Sequence, residues 1–375
     1  MHKPEEEKNM DSPLVSVGLP TRNRVDLLPR ALEALLGQTY KNIEFIVSDN
    51  ASVDGTEEVV RSFAARDPRI SYMRQERDIN GAENHEYVLG AARGKYFMWA
   101  SDDDWWDSRF VDTLVQVLEK NPDYGVAMSY YRKRFINDAN PRTELVTHNF
   151  THLGHADLFR KYFRGNVTPI FFFGLYRTDF LKKVFRRKTP SCMRGLMLTL
   201  AEIALATRSY SVPEFLHEQS QDGRIHIVRH PNHPYTAGEL DPFAMTRFVF
   251  KTPWWLFTSS AIPLRRKLLM LPFWCMGAQF YRKKIAAELW RFLKFLAVPI
   301  NQKRFHIEEL FDRWLTTVNY VELRNILFLL RRMAKAERKE ILASLWMRKQ
   351  KLTGDAAARL EYLEIELRRA WKLRA

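Results

Sequence analysis

The stretch Phe45-Ile46-Val47-Ser48-Asp49-Asn50-Ala51-Ser52-Val53-Asp54-Gly55-Thr56 decides the fold. Asn42 to Ser48 reads as a strand, and the polar residues after it as a turn. Asp54, followed by Glu57, predicts a capping-box-like start for a helix running to about Ala65. A strand, a polar turn and a helix form the repeating unit of an α/β sheet.

Working outward, the same unit recurs on both sides. Leu14 to Leu19 predicts the first strand, and Asp26 is placed to cap a helix whose apolar stripe is Leu28, Leu32, Leu35 and Leu36. Further strands are expected at Ile70 to Met73, Tyr96 to Ala100 and Gly125 to Ser129, with helices near Ala82 to Arg93 and Ser108 to Lys120. Residues 137 to 153 read as irregular. A strand at Pro169 to Tyr176, a helix at Met197 to Thr207 and a strand at Val212 to Glu218 return to the α/β style. Gln219 to Pro242 reads as a long loop rich in His, Pro and Gly. Candidate helices follow at Ile307 to Val318, Val321 to Ala334, Glu337 to Lys349 and Ala356 to Trp371. The expected layout is a polar tail (1–12), an α/β domain with an open, mostly parallel sheet (13–240) and a basic, aromatic-rich helical region (241–375).

Composition narrows the class. With 375 residues, 46% of them hydrophobic, the chain can bury a sizeable core. Cys192 and Cys275 match no zinc-ligand spacing and provide no disulfide framework, which fits a reducing cytosolic setting. The first twelve residues hold no apolar run of the secretory type, so no signal segment is expected. Lys+Arg and Asp+Glu balance at 33 each over residues 1–250, but number 26 and 11 over 251–375, so the net charge of +15 resides in the last third. Between residues 251 and 300, Trp254, Trp255, Phe257, Phe273, Trp274, Trp290, Phe292 and Phe295 alternate with basic clusters. That pattern suits an anionic membrane surface, or equally a helical subdomain with solvated charges. The longest uncharged apolar stretch, Leu268 to Tyr281, has 14 residues, short of the roughly 20 that a spanning helix needs. No nucleic-acid-binding motif is present.

In an open α/β sheet, ligands bind outside the carboxyl ends of the strands. Three polar clusters fall at such ends: Pro20-Thr21-Arg22-Asn23-Arg24, Asp49 to Thr56, and Ser101-Asp102-Asp103-Asp104-Trp105-Trp106. Three adjacent carboxylates repel one another unless a cation or hydrogen bonds offset the charge.

Over residues 14 to 220 these motifs, with Asn80-Gly81-Ala82-Glu83-Asn84 and Ala91-Ala92-Arg93-Gly94-Lys95-Tyr96, resemble the family 2 glycosyltransferases of the GT-A fold. The resemblance implies a hexosyltransferase-like enzyme that moves a sugar from a nucleotide-diphosphate donor to a hydroxyl acceptor, such as a glycan or lipid-linked acceptor. It further implies inversion and Mn2+ or Mg2+ as cofactor, in polysaccharide synthesis on the cytoplasmic side, peripherally at a membrane. Pro20, Thr21, Arg22, Asn23, Asp49, Asn84 and Asp102 would bind the donor, with Asp49 reading the base. Asp103, and with it Asp104, would hold the cation; Ser101 stands where the family's first acidic position lies. The family's catalytic base has no clear counterpart, since an apolar residue near Leu196 takes its place. Glu202 is the nearest candidate, with Glu218 and Asp222 as alternatives, and His226, His230 or His233 could meet the metal or a phosphate. A non-catalytic GT-A scaffold and a nucleotidyltransferase are the competing readings. No Gly-rich, basic phosphate loop follows the first strand, which argues against the latter.

Overall fold

The computed structural model describes residues 12–79, 81–135, 142–163, 172–185, 195–221 and 244–268, with a few positions between 282 and 290. The first part of the chain builds three consecutive strand–helix units: β1 (Val15–Thr21), α1 (Leu28–Leu36), β2 (Ile43–Asp49), α2 (Thr56–Ala64), β3 (Ile70–Arg74) and α3 (Gly81–Ala91), leading into β4 (Tyr96–Trp99). β1 pairs in parallel with both β2 and β4, and β2 with β3. β1 and β2 are buried almost without interruption along both faces, as strands inside a parallel sheet are, with Ser16, Glu44, Ser48 and Asp49 among their buried residues.

Then follow β5 (Trp105–Trp106), α4 (Phe110–Lys120), β6 (Tyr124–Phe135), β7 (Arg142–Val146), α5 (His155–Phe163), β8 (Leu175–Arg177), α6 (Thr178–Phe185), α7 (Gly195–Ala206), β9 (Arg208–Gln221) and α8 (Ala244–Phe257). One sheet runs in the order β3-β2-β1-β4-β8-β6-β9-β5, with β7 beside β6. The sheet is expected to be open and mostly parallel; its first half is parallel, while β8 is antiparallel to both β4 and β6, and β5 to β9, so the second half is mixed. One core cluster joins Val15, Val17 and Leu19 of β1 and Leu28, Leu32 and Leu35 of α1 to Phe110, Leu114 and Leu118 of α4.

Several local expectations are corrected. Asp26 does not cap α1: Leu27 occupies the cap without a side-chain bond, and Pro29 lies in the first turn, where its missing N–H costs no helical bond. Asp54 does receive the Thr56 amide at 3.1 Å, but Glu57 pairs with Arg61 and Arg74 instead of closing a capping box. Part of the expected irregular stretch, Arg142–Val146, is a strand; β6 continues to Phe135 and offers it an edge. The described part of the strand expected to end at Tyr176 is shorter, only Leu175–Arg177, after a helical turn at Phe172 and Phe173. The four helices expected between 307 and 371 lie outside the described residues.

Two compact units are distinguishable, one of Met1–Thr189, Met197–Gly223 and Trp254–Trp274, the other of Pro190–Leu196, Arg224–Pro253 and Cys275–Ala375. Among the described residues, no helix is long and apolar enough to cross a membrane.

The amino ends of the central strands are fastened by one buried knot. Ser16 Oγ donates to Glu44 Oε1 at 2.6 Å, the Gly94 amide donates to Ser16 Oγ at 2.8 Å, and Arg93 donates its amide and guanidinium to the Glu44 carboxylate. Burial alone would raise the Glu44 pKa, but the Ser16 and Arg93 bonds outweigh it and hold the carboxyl below its ordinary value. Gly94 is required by space, since a Cβ there would stand 2.6 Å from the Leu14 carbonyl oxygen. We therefore expect Gly94→Ala to lower stability by about 1–3 kcal/mol in chemical denaturation. A depressed carboxylate contributes stability above its unfolded pKa and loses it as pH falls through the folded value. Glu44→Gln should accordingly destabilise more at about pH 7 than at about pH 3, and equal losses at both would refute the ionised assignment.

Candidate active site

Parallel pairing places Thr21 opposite Asp49 at the ends of β1 and β2, and Asp49 opposite Arg74 at the end of β3. The Asn50 amide donates to the Thr21 carbonyl, and the Ala100 amide to the Gly18 carbonyl, which draws the segment after β4 to the same rim. The three polar clusters seen in the sequence therefore meet at the carboxyl ends of the strands, within one compact unit.

Asp49 is 0% exposed. Its Oδ1 accepts from the Ser52 amide and hydroxyl, at 2.9 and 2.5 Å, and its Oδ2 from the Tyr72 hydroxyl at 3.0 Å. Burial, and then the bond to Asp49, push the Tyr72 hydroxyl well above its ordinary range. The turn that wraps Asp49 needs a left-handed residue at Ala51 (φ 56°), and the loop after β1 needs another at Asn23 (φ 50°). The two loops lock together: the Asn23 amide donates to Ser52 Oγ, and Asn23 Oδ1 accepts from the Val53 amide, both at 2.9 Å. Gly55 (φ 88°) closes the turn into α2.

Asp102 reaches back to the first strand. It accepts from Thr21 Oγ1 at 2.8 Å and from Arg24 Nε at 3.1 Å. Burial raises its pKa to about 6, with Arg24 resisting the rise and the neighbouring Asp103 adding to it. Arg22 pairs with Asp78, which also accepts from Asn50 Nδ2 at 2.8 Å. Asn84 is committed beneath the rim, its amide exchanging two bonds with the hydroxyl and carbonyl of Ser48. Pro20 is the penultimate residue of β1, opposite Ser48.

The acidic run divides by environment. Asp103 is half-buried, and Ser101 donates to its Oδ1. Asp104 is 2% exposed and fully engaged: Oδ2 accepts from His217 Nε2 at 3.0 Å, and Oδ1 from the Ser220 amide at 2.9 Å. With the carboxylate ionised, Nε2 of His217 carries the proton. The ring stacks on Trp106, to which His217 is also paired across β5 and β9. Of the three carboxylates, Asp103 is the one left with appreciable exposure.

Glu202 is 0% exposed and accepts a hydrogen bond from the Ser259 hydroxyl. In this conformation it has no access to an acceptor. Glu218 pairs with Arg30 and Arg134. Asp222, His226, His230 and His233 lie outside the described residues. Sequence reading missed His217, Tyr72 and Asp78 and gave Ser52, within the Asp49 to Thr56 cluster, no role of its own; the one usable signal was position, since Asp78 follows the end of β3 as the other clusters follow theirs.

The profile of glycosyl transferase family 2 matches residues 16–185, and this part of the chain is a family 2 glycosyltransferase domain. The crystal structure of S. aureus TarS residues 1–349 in complex with UDP-GlcNAc is similar over 96% of this chain and 92% of that one, with TM-score 0.54 and 13% identity, so the fold is of the GT-A type. A Campylobacter jejuni GalNAc(5)-diNAcBac-PP-undecaprenol beta-1,3-glucosyltransferase is 36% identical over 105 residues, covering 28% of this chain and 34% of its own. The Escherichia coli UDP-Glc:alpha-D-GlcNAc-diphosphoundecaprenol beta-1,3-glucosyltransferase WfaP is 28% identical over 118 residues, 32% of this chain and 46% of its own. The chain spans less than half the length of these curated relatives.

His217 holds Asp104, so His217→Ala should cost about 1.5–3 kcal/mol, the range for a hydrogen bond to a charged group. Urea denaturation checks this; a change below about 0.5 kcal/mol, the size of an ordinary surface substitution, would contradict it.

Proposed function

We propose that the protein transfers a sugar from a nucleotide-diphosphate donor to a hydroxyl acceptor, with inversion and with the help of Mn2+ or Mg2+, in glycan or envelope-polysaccharide synthesis. The observation that carries this reading is the meeting of the β1, β2 and β4 ends, where Asp49, the 20–24 loop and the acidic run share one rim. The UDP-Glc donor printed in the name of the E. coli relative, and the undecaprenol-linked acceptors printed in both names, support it.

In this reading the β1 loop and the Asp49 turn cradle the nucleoside, and Asp49 accepts from a ring N–H of the base after exchanging one of its present donors. Arg22 and Arg24, each holding a carboxylate in this conformation, stand close enough to the rim to meet diphosphate oxygens. Among the described residues no three His, Cys, Asp or Glu side chains form a ready-made metal cluster. The oxygen donors nonetheless suit a hard divalent cation that shares its coordination with diphosphate oxygens and needs only one or two protein carboxylates. Asp103 would hold it, while Asp104, tied to His217 and Ser220, would fix the loop that presents Asp103. When bound, such an ion supplies Lewis-acid stabilisation of the departing diphosphate.

As the bond from the anomeric carbon to the diphosphate oxygen breaks, the acceptor oxygen bonds to that carbon and its proton must pass to a base. The burial of Glu202 favours a base outside the described residues, among which Asp222 lies. The same burial motivates the second reading, a scaffold that binds nucleotide without turnover. Calorimetry with UDP and Mn2+ beside a turnover assay separates the two, because binding with no turnover over a panel of acceptors would favour the scaffold.

We further place the protein peripherally on the cytoplasmic face of a membrane. Trp254, 73% exposed, and the exposed Leu264 and Leu268 flank Arg265 and Lys267 in the basic, aromatic-rich stretch, and this supports that placement. Asp103→Ala is expected to lower metal-dependent transfer or donor hydrolysis by at least about 100-fold with the melting temperature unchanged. Retention of metal-dependent turnover in that variant would overturn the assignment of Asp103.

A further inference from the structure

A second polar cleft, of about 750 Å³, lies at the opposite end of the sheet from the acidic rim. Its lining includes Arg93 and Lys95, which precede β4, Arg177 at the end of β8, and Thr178 and Lys183 of α6, with Ser260 beside them. All belong to one compact unit. Register fixes the position: β8 is antiparallel to β4 and pairs Arg177 with Tyr96, the first residue of β4.

The cations are not all neutralised. Arg93 pairs with Glu44 and Lys95 with Glu119, both at 2.6 Å. Arg177 spends its donors on neutral groups, the carbonyls of Tyr124 and Leu118 and the Tyr96 hydroxyl. Neither Arg177 nor the exposed Lys183 has a carboxylate within ion-pair distance among the described residues. Among the described residues, Asp179 is the only carboxylate in the lining.

Two further features point the same way. α6 starts at Thr178, and the amides of its first turn have no carbonyl of their own helix to bond, while the helix dipole favours an anion at that end. The Thr178 amide is taken by the Lys95 carbonyl at 3.0 Å, but its hydroxyl, on a residue 4% exposed, has no partner among the described residues. A buried hydroxyl without a partner costs about 1–3 kcal/mol and is an exception that calls for a reason.

We infer that this cleft binds a phosphate group, through Lys183, the first turn of α6 and the Thr178 hydroxyl, in the field of Arg93, Lys95 and Arg177. Helix amino ends with convergent cations recognise phosphate oxyanions. A cleft of this volume takes a phosphate carried on a larger molecule, since it falls in the size range of small-ligand sites. Two sources share that chemistry: a soluble phosphoester and a phospholipid headgroup. The segment continuing from Ser260 bears the exposed Leu264 and lies in the same unit, so a headgroup would reach the cleft beside an apolar contact.

The test uses the full chain. Calorimetry with inorganic phosphate probes the soluble source, and flotation with phosphatidic acid vesicles, against phosphatidylcholine alone, probes the headgroup. Lys183→Glu should weaken whichever binding is seen by roughly tenfold, Lys183→Ala by less, and Asp179→Asn should strengthen it. UDP binding, measured on the same samples, should be unchanged, because the cleft lies at the other end of the sheet. Phosphate binding that falls in Lys183→Glu supports a soluble phosphoester. Flotation specific to phosphatidic acid that falls in the same variant supports the headgroup. No binding in either arm, or binding that neither Lys183 variant alters, overturns the inference. Lys183 is exposed, so neither substitution threatens folding, and circular dichroism verifies that.

Discussion

A carboxylate taken out of water must be met by donors or by positive charge, and the site rim of this protein gathers three such groups. Asp49, Asp102 and Asp104 are all buried. Each has a different solution: a turn amide with two hydroxyls for Asp49, a hydroxyl and a guanidinium for Asp102, and an imidazole and a strand amide for Asp104. These bonds join segments distant in sequence, so meeting the charge and closing the fold are one event. Thr21 to Asp102 ties β1 to the segment after β4, and His217 to Asp104 ties that segment to β9. Asp103, between two fixed neighbours, is the carboxylate still partly open to solvent.

The two ends of the parallel half share this economy of bonding but differ in outcome. At the amino ends, Glu44 is saturated by Ser16 and Arg93, and its pKa is lowered. At the carboxyl ends, burial raises the Asp102 pKa, with Arg24 opposing the rise and the neighbouring Asp103 adding to it. The first arrangement stabilises, while the second keeps a charged group in an uncomfortable place. Such discomfort is usual where a ligand is to be bound.

The parallel half was readable because its signals are local. Runs such as Val15 to Leu19 and Phe45 to Val47 carry their own strand preference, and the acids that follow them mark the carboxyl ends. The mixed half was less readable. Leu175–Arg177 is too short to declare a direction, and the exposed β7, Arg142–Val146, lacks the alternation of a half-buried strand. The same limit governed the site. Asp49 and the 101–104 run could be found by position, yet which aspartate stays open depends on His217, far along the chain, whose pairing to Trp106 no local pattern announces. Glu202 is a lone acid in an apolar helix, and nothing local announces that it faces the interior, against Ser259.

The central claim is that the rim binds a nucleotide diphosphate and that Asp103 is the protein's ligand for the shared cation. Anomalous diffraction at the manganese edge, from crystals grown with UDP and Mn2+, tests it most directly. The account predicts one manganese peak within bonding distance of an Asp103 oxygen and of the diphosphate, with Asp104 still bonded to His217. A manganese held by Asp102 or Asp104 while Asp103 faces solvent, or UDP bound away from the ends of β1 and β2, would contradict it.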